Sequence, residues 1–212
     1  MVEKKTLRVI KEALEASKQR NFKESVDLAI NLKDIDLSIP KNRIDDEVLL
    51  PKGRGKTVKI AVFGSGELAV KAKGVADLVI TPEELDDLAE DKKKAKKVAN
   101  EHIFFIAEAP LMPTIGKKLG VVLGPRGKMP KPIPPSADPK PLIENLRKTV
   151  RLRSKDRRTF HTPVGTKDMS IEELAENVDV VLKRLLGKLE RGKMNIASIY
   201  IKTTMGKSVK LM

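Results

Sequence analysis

The chain has no cysteine and no tryptophan, and only one tyrosine, five phenylalanines and two histidines in 212 residues. Without cysteine there is no disulfide and no thiolate zinc site. His102 and His161 lie far apart, without metal-ligand spacing, and each reads as a hydrogen-bonded structural residue. No apolar run reaches the roughly 18 residues that a membrane-crossing helix needs. The N-terminal stretch MVEKKTLRVIKEALEASKQR sets Leu7, Ile10 and Leu14 at helical spacing among charges, unlike the unbroken apolar centre of a signal peptide. A soluble, intracellular protein is expected, with no metal and no cofactor. The scarcity of aromatics also limits mechanism. Proteins that grip single-stranded RNA stack its bases on several rings. If this chain binds RNA, it must read a folded shape through backbone and 2′-hydroxyl contacts.

Positive charge is what the chain has in excess. Lys and Arg number 43 against 29 Asp and Glu, for a net charge of +14 and a pI near 9.8. Such a surplus repels itself unless a polyanion neutralises it, and it favours nucleic acid before membrane. The bland alternative is basicity for solubility or heat tolerance.

The pattern along the chain divides into two kinds of segment. SVDLAINL (Ser25 to Leu32) alternates, with Val26, Leu28, Ile30 and Leu32 on one face, as a half-buried strand does. DEVLLP reads as a second strand and KGRGK (Lys52 to Lys56) as a flexible basic turn. Then come VKIAVF, DLVI, IFFIA and GVVLG, short continuous apolar runs expected of parallel strands covered on both faces. Helices separate them: TPEELDDLAE opens with a capping box of Thr81 and Glu84, and KKKAKKVAN and PLIENLRKTV follow. The lysines of the Lys92 to Lys97 run read as a solvated helix face. VRLRSKDRRTFHTPVG predicts two strands joined by a turn at Lys155 to Arg157. SIEELAENVDVVLKRLLGKL predicts a helix capped by Ser170 and Glu173, with its apolar stripe on Leu174, Val178, Val181, Leu182, Leu185 and Leu189.

The economical topology is α/β with two domains: a two-layer domain built from residues 1–56 and 155–212, and a second α/β domain, 57–154, inserted in it. The crossings near Lys56 and Ser154, at 52–57 and 154–158, would form a hinge. Residues 57–154 carry 18 basic and 12 acidic side chains, net +6, leaving +8 elsewhere, so charge does not choose between the domains.

Three stretches bear on function. VFGSGELA places Gly64-Ser65-Gly66 after a strand with Ala69 three residues on, the G-x-G-x-x-A form of a dinucleotide fingerprint. Its crossover from Gly64 to Asp77 is too short for a full helix. No acid stands at the end of the next strand, Ile80-Thr81, to take ribose hydroxyls. An NAD(P)-linked oxidoreductase is therefore the weaker reading. LGPRGKMPKPIPPSADPKP (Leu123 to Pro141) holds seven of thirteen prolines, and Gly124 and Gly127 bracket a tight turn presenting Arg126 and Lys128. It reads either as a functional loop or as a stiff connector. KTTMGKSVKL closes the chain as a hairpin in which Gly206 supplies a positive φ. Around that bare backbone, Thr203, Thr204 and Ser208 suit close approach to ribose and phosphate.

LGPRGKMPKP, HTPVG and TTMGKSVKL, in this order, resemble the L-one family of large-subunit ribosomal proteins, which sit in the mobile stalk beside the tRNA exit site. The resemblance spans essentially the whole chain, and MPKPIPP with the compact length is similar to the archaeal branch. It implies a discontinuous domain of split β-α-β type carrying a three-layer Rossmann-like insertion. It further implies a non-enzymatic protein of the cytoplasmic ribosome, a monomer when free. Its partners would be large-subunit rRNA, a mimic of that site in its own mRNA, whose translation it would repress, and exit-site tRNA, whose release it would assist. The family's RNA contacts carry over to Phe22, Lys23, Glu24 and Ser25, to Thr203, Thr204, Met205, Gly206, Lys207 and Ser208, and to His161, Thr162 and Lys167. A secondary contact with stalk RNA or tRNA falls on Gly124, Arg126, Gly127 and Lys128 of the inserted domain. A third reading, a general basic RNA chaperone, predicts binding without preference for a folded site.

Overall fold

The computed structural model describes residues 4–212. In chain order the elements are α1 (Lys4–Glu15), β1 (Ser25–Leu32), β2 (Asp45–Leu49), β3 (Ile60–Phe63), α2 (Gly66–Ala72), β4 (Leu78–Ile80), α3 (Pro82–Glu90), α4 (Lys92–Glu101), β5 (Phe104–Glu108), α5 (Met112–Leu123), β6 (Lys131–Ile133), α6 (Pro139–Lys148), β7 (Thr149–Arg153), β8 (Thr159–Thr166), α7 (Ile171–Lys188), β9 (Ile196–Thr203) and β10 (Val209–Lys210). Short 3-10 turns join some of them. The protein is of mixed α/β class. Its residues form two compact units, one from the chain up to Lys56 together with Lys148–Met212, the other from Thr57–Arg147.

The first unit is a helix layer on an antiparallel sheet of order β10-β9-β1-β8, with a separate β2–β7 ribbon. Alternation in β1 buries Val26, Leu28, Ile30 and Leu32 against the helices, as the period-2 pattern requires. Helix α1 answers with Val9, Ile10 and Ala13, and α7 with Leu174, Val178, Val181 and Leu185, at i, i+4, i+7 and i+11. Each such side chain taken fully from water contributes about 1.5–3 kcal/mol before entropy. The capping box that opens α7 is present in both directions: Glu173 N–H donates to Ser170 Oγ (3.2 Å) and Ser170 N–H to the Glu173 carboxylate (3.1 Å).

Two expectations about the crossings change. The Lys52–Lys56 turn is not loose. The fully buried Asn177 of α7 donates to Gly53 O (2.9 Å) and Val164 O (2.8 Å) and accepts from Lys52 N–H (3.2 Å). At Gly55, whose φ is +69°, a Cβ would overlap the Thr166 hydroxyl. The return crossing lies at Arg147/Lys148 rather than at Ser154, because β7 pairs with β2 from Asp45↔Arg153 to Leu49↔Thr149. Lys148, Arg151 and Arg153 therefore belong to the first unit. Residues 57–147 hold 15 basic and 12 acidic side chains, net +3, and the first unit carries +11. The even split of charge expected from the sequence is thus wrong.

The second unit is a parallel sheet of order β4-β3-β5-β6 between two helix layers. Ala61, Phe63, Phe105 and Ala107 face the side packed by α3, α4 and α5, while Ile60, Val62, Phe104 and Ile106 face that of α2 and α6. GVVLG is not a strand. It closes α5, where Ile115, Leu119, Val122 and Leu123 are buried at helical spacing, and a short apolar run cannot by itself tell the two apart. The fourth strand, β6, comes from inside the proline-rich stretch. Pro132 is accommodated because β6 is an edge strand.

Candidate nucleic-acid interface

Three segments meet at one end of the four-stranded sheet: residues 17–25 leading into β1, the Thr204–Ser208 loop between β9 and β10, and Lys167–Asp168 after β8. Antiparallel pairing sets Val26 opposite Thr203, so the start of β1 lies beside the end of β9. One further rung continues the ladder: Thr204 N–H donates to Ser25 O, and Ser25 N–H to Thr204 Oγ1, both at 3.0 Å.

Glu24 joins the three segments. It is 2% exposed, and its carboxylate accepts from Ser17 Oγ (2.6 Å) and from Met205 N–H (3.0 Å), with the Lys167 ammonium 4.0 Å away. Lys167 in turn donates to Ser17 O and Oγ, each at 3.1 Å. The Ser17 hydrogen bond, the Met205 amide and the charges of Lys167 and Arg20 hold the Glu24 carboxyl below the usual range despite its desolvation. A buried carboxylate is tolerated only when bonded and paired in this way.

This frame presents an exposed rim. Phe22 is 52% and Met205 60% exposed; Met205 is held to the Glu24 carboxylate through its amide, and Phe22 precedes Glu24 by two residues. Lys23, Thr204, Lys207 and Ser208 are exposed around them, Lys23 with its ammonium 3.0 Å from Asp168. Two large apolar tips on a cation-rimmed edge form the kind of patch that marks an interaction surface.

Other residues assigned from the sequence are placed differently from the exposed rim. Glu24 is beneath the rim and acts by holding it. Thr203 is fully buried, and its hydroxyl has no hydrogen-bond partner among the described residues. Gly206 does not adopt a positive φ; it is required because a Cβ there would overlap the Thr203 hydroxyl. Thr162 is fully buried on the helix-facing side of β8, its Oγ1 3.4 Å from Arg151 O. His161 is exposed on the opposite, open face, in register with Ala29, roughly 13 Å along β1 from Ser25. That face also carries Asp27, whose carboxyl is pushed up by burial near Lys202. Of the FHTPVGTK string, only Lys167 joins the frame. Ser17 and Asp168 were missed by sequence reasoning; both look like ordinary loop residues, and only the register of β1 against β8 and β9 brings them together.

In the second unit the glycine-bracketed turn forms as expected, with Gly127 at φ +65° and its N–H on Gly124 O (2.8 Å). Its cations point inward. Lys128 Nζ donates to Ala99 O (2.6 Å) and His102 O (2.7 Å), satisfying carbonyls at the C-terminus of α4, and Arg126 donates to Val122 O (2.9 Å) at the end of α5. The capping box of Thr81 and Glu84 on α3 is present, and His102 is buried with its ring bonded to Val98 O.

The Gly64-Ser65-Gly66 turn is built for packing. A Cβ at Gly64 would sit 2.9 Å from Leu68 Cδ2. Helix α2 is seven residues long, and the buried Glu108 carboxylate accepts from Ser65 N–H (3.0 Å) and Oγ (2.7 Å). An internal anion thus occupies the place where a fingerprint turn receives pyrophosphate.

Fold and site together define a mixed α/β protein of two units, with its positive charge concentrated in the unit that carries an apolar-tipped, hydrogen-bonded edge. Comparison with known proteins makes the class specific. The chain matches the ribosomal protein L1p/L10e family over residues 13–207, and it belongs to that family. It is 58% identical to large ribosomal subunit protein uL1 of Methanocella arvoryzae over the whole of both chains. It is 60% identical to that of Thermoplasma acidophilum, covering 96% of this chain and 94% of the relative. With that of Archaeoglobus fulgidus it shares 53% over 98% and 97%.

Proposed function

We propose that this protein is a non-enzymatic constituent of the large ribosomal subunit, and that it holds a folded segment of large-subunit rRNA on the edge formed by Phe22, Lys23, Ser25, Thr204, Met205, Gly206, Lys207 and Ser208. The observation that carries this reading is the pair of exposed apolar tips, Phe22 and Met205, fixed on a hydrogen-bonded frame in the unit of net charge +11. The names of its relatives support the ribosomal assignment. A rigid frame suits close, water-excluding contact with ribose and backbone, where little ordering remains to be done on binding. The surrounding cations supply the salt-dependent attraction.

By the same reading, a similar fold in the protein's own mRNA competes for this edge and makes the protein a repressor of its translation. The Gly124–Lys128 loop of the second unit meets stalk RNA or exit-site tRNA and assists tRNA release. The segments after Lys56 and at Arg147/Lys148 serve as a hinge, and the protein works in the cytoplasm as part of the ribosome.

Affinity for an rRNA stalk fragment against unrelated structured RNA, at several salt concentrations and with NADPH as competitor, tests the reading. A specificity ratio that survives high salt is expected, together with a reduced ratio in Met205→Ala, whose side chain is exposed. Equal affinity for both RNAs would leave only a general RNA chaperone, and displacement by NADPH would favour the oxidoreductase.

A further inference from the structure

Adjoining the proposed edge, and sharing Phe22 and Lys23 with it, lies an open concavity of about 740 Å³. Gln19, Arg20, Asn21 and Phe22 line one side of it and Lys167 and Asp168 the other. Its floor is locked: Ser17, Glu24 and Lys167 satisfy one another. Its rim is not. The amides of Gln19 and Asn21 and the guanidinium of Arg20 are exposed, and among the described residues none of the three side chains makes a hydrogen bond or ion pair. Lys23, by contrast, is tied to Asp168.

The chemistry of this rim is specific. Each amide offers a donor and an acceptor side by side, which matches the paired groups along the edge of a nucleobase. The half-exposed Phe22 ring gives a flat apolar wall for a base face. Arg20, whose charge acts on Glu24 only at a distance, is free of hydrogen bonds among the described residues to meet a phosphate or lie against a ring. A base inside a duplex shows neither its pairing edge nor its face, so only an unstacked nucleotide can use all three. The volume lies within the range of small-ligand pockets.

We propose that this concavity takes one unpaired nucleotide of the bound rRNA, with its base against Phe22, its edge read by Gln19 and Asn21, and its phosphate at Arg20. The proposal rests on the reading that the adjoining edge holds folded rRNA. It gives the site a source of base specificity that the rim of Thr204–Ser208, which lacks amide side chains, does not provide.

The test is an abasic scan of the stalk rRNA fragment, replacing each unpaired nucleotide in turn, with binding measured for the natural protein and for a Gln19→Ala/Asn21→Ala variant. These substitutions remove no intramolecular hydrogen bond, so the fold should be retained. One abasic position should weaken the natural protein roughly 5- to 150-fold, the cost of a stacked base, and weaken the variant several-fold less. Phe22→Ala should blunt the same position. If every abasic position weakens both proteins equally while preference for the stalk fragment persists, the nucleotide site is refuted and the interface stands. If the natural protein shows no preference for the stalk fragment over unrelated RNA, the interface itself is refuted, and the nucleotide site with it.

Discussion

Replacing Glu24 with glutamine removes one charge and keeps nearly the same shape. In the native protein the buried carboxylate accepts from Ser17 Oγ and Met205 N–H and lies 4.0 Å from the Lys167 ammonium. A hydrogen bond to a charged group contributes about 1.5–3 kcal/mol and a neutral one about 0.5–1.5. Glutamine keeps one acceptor oxygen but turns the other into a donor, and Lys167 loses its buried counter-charge. A loss of about 2–3 kcal/mol is expected, read as a lower urea midpoint at unchanged slope. RNA affinity should fall too, because the Met205 amide loses its anchor. The pH dependence supplies an independent check. The folded-state pKa is lowered, so the stabilisation is fully present above the unfolded value of about 4.3 and is lost as pH falls through the lower folded value. Glu24→Gln should erase that part of the acid dependence and leave the neutral region flat. A variant as stable as the natural protein, with an unchanged acid profile and unchanged RNA affinity, would refute Glu24 as the organiser of the site.

Three further outcomes are expected. Asn177→Ala leaves Gly53 O, Val164 O and Lys52 N–H without a partner in a buried place and should cost about 2–4 kcal/mol, with faster hydrogen exchange at Lys52; unchanged exchange there would mean that the crossing is held by something else. Asp168→Asn frees Lys23 from an exposed ion pair worth at most about 1 kcal/mol, so non-specific RNA should bind roughly two- to five-fold tighter and the log–log salt slope should steepen by about 0.7–0.9, and an unchanged slope would place Lys23 outside the interface. Glu108→Ala should destabilise the second unit by about 1–3 kcal/mol without creating affinity for NADPH, whereas dinucleotide binding by this variant would revive the cofactor reading of the Gly64-Ser65-Gly66 turn.

Where local physics and tertiary structure agree, the sequence was enough. The alternation of Ser25 to Leu32 and the capping boxes of Thr81 and Ser170 need no distant partner to be read, and each element starts where those signals put it. GVVLG failed because five residues carry no period; only the preceding Ile115 and Leu119 make it a helix. The boundary at Arg147 was missed because the alternation of Thr149–Arg153 does not say which sheet the strand joins, and pairing of β7 with β2 is a long-range fact. Of the candidate site residues, Phe22 and Met205 could be singled out from the sequence, and both side chains are exposed. The internal division of the site was not legible, since side chains that touch a ligand and side chains that hold them are of the same chemical kinds. Glu24, Arg126 and Lys128 each read as contacts, and each also makes hydrogen bonds within the fold that the sequence does not show.

The fit between Gly206 and the buried Thr203 hydroxyl has a consequence for how this surface can change. At most exposed positions a new side chain is tested only by the partner it meets. At Gly206 it is tested first from below, by a hydroxyl of the core, so a variant that loses RNA there cannot be told from one that loses its loop. If the edge holds RNA as proposed, its adaptation to a different RNA runs through its exposed neighbours, Phe22, Met205 and Lys207.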